Sequence, residues 1–94
     1  MRGVLIAGFD PAARYRLDHQ VALRDEPFGA LAYHYGSRRL VFLRSRPLVG
    51  IVRDLAGHTS AAAAVDAAVP PGRREGHLRA LASLVRSGML VEAP

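Results

Sequence analysis

The chain has 94 residues, half of them hydrophobic, which suits one domain with a single two-layer core and argues against disorder. It contains no cysteine, which excludes disulfide stapling, thiol catalysis and Cys-ligated metal and points to a reducing, cytoplasmic compartment. The formal charge of +5 rests on thirteen arginines and no lysine and favours acidic partners, but the arginines are dispersed, with only Arg38-Arg39 and Arg73-Arg74 as tight pairs.

The first nine residues resemble a signal peptide only superficially. Their uninterrupted apolar run, Val4 to Ala7, falls short of the roughly 7–15 residues of a signal core and of the ~20 that span a bilayer, and Asp10-Pro11 follows soon after. Residues 1–14 are expected to be a flexible arm ahead of a single domain over 15–94, with no membrane association.

Three strands are expected in the first half. Asp18 to Arg24 alternates briefly, with Val21 and Leu23 on one face, and Pro27 breaks the chain. Phe28 to Tyr35 alternates again, with Leu31, Tyr33 and Tyr35 on one side. Gly36-Ser37-Arg38 is a short turn, after which Arg39 to Arg44 is rich in β-forming residues, so the pair reads as a hairpin and the whole as an antiparallel meander. Tyr33, Tyr35 and Phe42 are expected to pack beneath the helices, the alternative being that one or two stack against a bound partner at the sheet edge.

The second half reads as helices. Ser45 can cap a helix with Pro47 in its first turn, and Leu48, Ile51, Val52 and Leu55 form one apolar stripe. Gly57 stops it, and Thr59 or Ser60 can cap a short, alanine-rich helix over Ala61 to Ala68. After Val69-Pro70-Pro71-Gly72, the residues Leu78, Leu81, Ala82 and Val85 repeat the stripe, Arg86 suits the helix C-terminus, and Gly88 ends the helix. Met89 to Val91 is expected to pack back or pair briefly as a strand. The fold class is therefore α+β, a winged helix-turn-helix-like arrangement of a three-stranded antiparallel sheet followed by three helices. At least one sheet edge carries unpaired backbone groups.

No active site assembles from these residues. His19, His34, His58 and His77 lack ligand spacing and read as structural or surface histidines, and Asp25-Glu26 as a solvated turn. No serine lies in a nucleophile-elbow context, and the glycines form no phosphate-binding loop. No metal and no cofactor is expected.

The runs Val21–Arg24, Glu26–Gly36 (EPFGALAYHYG) and Arg38–Ser45 (RRLVFLRS) resemble the mycofactocin precursor-peptide chaperones, relatives of the pyrroloquinoline-quinone peptide chaperones among the recognition elements for ribosomally made, modified peptides. The resemblance spans roughly Asp18 to Leu90 and departs from the pattern at Asp25, where proline is expected. It implies a PqqD-like fold and a non-catalytic domain that binds the leader of a precursor peptide and presents it to a radical S-adenosylmethionine enzyme. Under that role the leader adds as a strand along Leu40, Val41, Phe42, Leu43 and Arg44, with Arg39 beside them. Leu78, Leu81, Ala82 and Val85 are expected to wall the groove, and Arg39, Arg44, Arg79 and Arg86 to meet leader carboxylates. A strand with two or three anchored side chains implies near-micromolar affinity, about −8 kcal/mol. Two rival readings stand beside this one. The first is a DNA-binding winged helix presenting Arg73, Arg74, His77 and Arg79 to phosphates. The second is an adaptor that dimerises through its open strand edge.

Overall fold

The structure is a computed structural model and describes residues 8–94; the apolar run Val4 to Ala7 lies outside the described residues. Three strands, β2 (Val21–Glu26), β3 (Gly29–His34) and β4 (Leu40–Leu43), form the antiparallel meander in the order β2-β3-β4. A two-residue turn, Pro27-Phe28, joins β2 to β3, because Glu26 pairs directly with Gly29. Gly29 is obligatory there: its φ is +150°, and an added Cβ would run into the carbonyl oxygen of Leu43. The second turn is clamped by a side chain. The Nδ1 atom of the buried His34 accepts the Ser37 N–H at 3.1 Å, which places the neutral ring's proton on Nε2, 3.7 Å from the Asp18 carboxylate.

Three helices follow: α1 (Arg46–Asp54), α2 (Ala61–Ala68) and α3 (Arg74–Arg86). The Ser45 side chain caps α1 by accepting from Leu48 N, and Ser60 caps α2 by accepting from Ala63 N. The next two orphan donors of α2 are met by backbone instead, Ala61 N donating to Ala13 O and Ala62 N to Pro11 O. Helix α3 ends in a Schellman motif around Gly88 (φ +82°), with Gly88 N donating to Val85 O and Met89 N to Leu84 O.

Two further strands, β1 (Tyr15–Leu17) and β5 (Leu90–Glu92), pair antiparallel in a small second sheet. β5 answers the expectation for Met89 to Val91, but the sequence pattern does not announce its partner. Of the segment expected to be an arm, residues 8–14 fall within the described range. There Phe9 is buried and stacks on Tyr15, and Arg14 donates to Ala56 O and Pro94 O.

The core lies between the sheet and the helices. Ala30, Ala32 and Leu43 face Leu48, Ile51, Val52 and Leu55, and Val65, Leu81, Met89 and Leu90 complete it with at most 1% exposure each. The small residues of β3 let α1 lie close to the sheet. This phase of the strand corrects the reading of the aromatics. Tyr33, Tyr35 and Phe42 share the opposite face, which no helix of the described residues covers, and Tyr35 and Phe42 are 62% and 49% exposed.

Candidate functional site

Strand β4 is an edge of its sheet, with β3 as its only strand neighbour among the described residues. His34 N donates to Arg39 O, and the register pairs Tyr33 with Leu40 and Ala32 with Val41. Because bonded and non-bonded pairs alternate in an antiparallel ladder, Val41 and Leu43 direct their backbone groups to β3. Those of Leu40, Phe42 and Arg44 therefore face the open edge. Immediately beyond the strand lies an open groove of about 500 Å³, lined by Ser45, Leu48, Gly72, Arg73, Gly76, His77 and Ala80. Gly72 and Gly76 have nothing within 4 Å of a would-be Cβ, so the helix side of the groove is low and unobstructed. The His77 ring is fixed by its Nδ1, 2.8 Å from Arg73 O.

The expected site residues separate into three groups. Leu40, Val41, Phe42 and Arg44 lie along the edge with Arg39 at its start, all but the half-buried Val41 exposed; the Arg44 guanidinium sits 5.3 Å from the centre of the Phe42 ring. Leu43, Leu78, Leu81 and Ala82 are core, between 0% and 6% exposed, so they hold the sheet and α3 in place and offer a ligand no surface. Val85 is half-buried, and Arg79 and Arg86 are exposed on α3, with Arg79 3.5 Å from Glu75. Strand β4 packs on β3 and α1, and α3 packs on α2 and β5. The groove residues of α3, Gly76, His77 and Ala80, lie on a face next to the apolar stripe. A stripe marks what a helix buries, and the faces beside it carry no comparable periodic signal.

Charge around the site is uneven. Arg38, Arg39, Arg44 and Arg73 make no ion pair among the described residues, while Arg24, Arg53 and Arg74 are taken by Glu26, Asp25 and Asp66. Behind the hairpin, Asp18 is held below the usual carboxylate range. The chief cause is the hydrogen bond from Gln20 N–H; partial burial opposes it, and His34 and His19 add to the lowering. Among the described residues no three His, Asp or Glu side chains gather to hold a metal, and no helix is long and apolar enough to cross a membrane.

The molecule is of the class of small α+β domains with a strand edge unpaired among the described residues and an open groove near it. Comparison with known proteins narrows the class. The sequence pattern of the peptide chaperone MftB family matches residues 14–91, and the chain belongs to that family. It is 51% identical to the peptide chaperone MftB of Mycolicibacterium smegmatis over 84 residues, 88% of this chain and 82% of the relative. The same protein of Mycobacterium ulcerans is 48% identical and that of Mycobacterium tuberculosis 44%, each over 88% of this chain and 77% of the relative. No solved structure matches. The family is one of chaperones, and its role is non-enzymatic.

Proposed function

We propose that the chain is a cytoplasmic chaperone of mycofactocin biosynthesis that binds the leader of a precursor peptide by strand addition to β4 and presents it to a radical S-adenosylmethionine enzyme. The observation that carries this reading is the open edge of β4 with a groove that begins at Ser45, just past the end of the strand. The outward backbone groups of Leu40, Phe42 and Arg44 supply register, and the groove at Ser45, Leu48, His77 and Ala80 supplies room for side chains. Arg39, Arg44 and Arg73, free of internal carboxylates among the described residues, suit an acidic leader. The DNA-binding alternative loses ground on the same charges, since Arg74 is occupied by Asp66 and Arg79 lies beside Glu75.

The test is amide hydrogen exchange, read by NMR, on the labelled protein with and without a synthetic leader of the mycofactocin precursor. Strand addition slows exchange at Leu40, Phe42 and Arg44, while Val41 and Leu43 are protected in both states. Uniform exchange along β4, unchanged by leader, would remove strand addition as the mechanism.

A further inference from the structure

The outer face of the three-stranded sheet is apolar where an exposed sheet face is ordinarily polar. The large hydrophobic side chains exposed among the described residues are Phe28, Tyr35, Leu40 and Phe42, and all four lie on this face or at its margin. They are organised into clusters. The Phe28 and Phe42 rings are 5.8 Å apart, the Tyr33 and Tyr35 rings meet edge-on at 5.3 Å, and a shallow depression of about 380 Å³ is lined by Ala22, Arg24, Leu31, Tyr33, Tyr35 and Leu40. Strand spacing and rise give this face a projected area on the order of 300 Å². A patch of this size is about that of the largest on a typical monomer, which is often functional.

We propose that this face docks a folded protein whose surface is apolar at the centre and bears carboxylates at its rim. On the reading proposed above, on which this inference rests, that protein is the radical S-adenosylmethionine enzyme that receives the leader. Charge selects the partner. Arg44 sits over Phe42, and Arg38 and Arg39 flank the hairpin tip, none of the three in an ion pair among the described residues. The nearby Glu26 is held by Arg24 at 2.7 Å. A second copy would set arginine against arginine with no free carboxylate to meet them. A leader strand gains its register from backbone groups, and a sheet face presents only side chains. Edge and face therefore offer different groups, backbone and side chains, and share Arg39 and Arg44 at their border. The area is well below the roughly 800 Å² per partner of a stable complex, which suits a contact that must form and break at each delivery.

The experiment uses the full chain carrying Leu31→Thr and Tyr35→Ser, neither of them on β4. The purified mycofactocin radical S-adenosylmethionine enzyme, without leader, and the synthetic leader, without enzyme, are titrated separately by calorimetry. The double variant is expected to bind the enzyme about tenfold more weakly or worse, with leader affinity changed by less than about twofold. Tyr35→Ser alone, at a mostly exposed side chain, shows the same direction and guards against a folding defect. Enzyme affinity equal to that of the parent chain overturns the proposal. So does loss of leader binding with enzyme binding retained, or a dimer of the parent chain that the variant dissolves. Failure of the parent chain to bind leader refutes strand addition alone, because the enzyme titration contains no leader.

Discussion

At the scale of single residues, two positions are fixed by surroundings rather than by their own propensity. Gly29 sits where β3 passes the end of β4, in a backbone conformation that L side chains rarely adopt and against the Leu43 carbonyl. Gly29→Ala must move backbone as well as accept strain, so a loss of roughly 2 kcal/mol or more is expected in urea unfolding. A loss below about 0.5 kcal/mol would show that the hairpin yields locally. Asp18 provides the second case. Its carboxyl is held below the ordinary value chiefly by the Gln20 N–H, so its contribution is fully present above about pH 3.9 and disappears as pH falls through the lower folded value. Asp18→Asn should therefore lower the urea midpoint by more at pH 5 than at a pH well below the ordinary carboxylate range. An equal gap at both pH values would show that the ionised form plays no part.

At the scale of elements, the helices are the most legible part of the sequence. Ser45, Pro47 and the stripe from Leu48 to Leu55 specify α1, and the capped alanine run gives α2 its observed bounds. Ser45→Ala removes a cap that is also part of the groove, and it should cost about 1 kcal/mol of thermal stability. A melting temperature equal to that of the parent chain would mean that Leu48 N finds another acceptor. Strands are less legible in phase than in position. Along β3 both alternating sets are apolar, Ala30 and Ala32 against Leu31 and Tyr33, so periodicity alone does not say which is inside. The larger set looks like core, yet the smaller one is buried because it admits α1. Strand β1 gives no signal at all: three residues are too few for a period, and their partner lies at the other end of the chain.

At the scale of the whole molecule, the edge of β4 follows from a three-stranded meander and was legible once the strands were. The groove was not, because Gly72, Arg73, Gly76 and His77 line it from outside the apolar stripe. Nor was the aromatic outer face, whose existence depends on which side the helices choose. The division of labour is spatial: the core holds Leu43, Leu78, Leu81 and Ala82, the edge offers backbone, and the outer face offers rings. A substitution within one set is expected to leave the others in place, as the paired titrations of the Leu31/Tyr35 variant require.

The small β1–β5 sheet bears on how the domain yields under tension. Its register pairs Tyr15 with Glu92, and Arg14 donates to Pro94 O, so the segment packed by Phe9, Pro11 and Ala13 enters the ladder at the end from which the C-terminus leaves it. Pulling the two strands apart from that end loads the ladder's hydrogen bonds in sequence, from Ala93 N–Arg14 O inward, and never all in concert. The meander that carries the binding edge lies outside this line of force, so a tether at either terminus can peel the small sheet open while β4 remains intact.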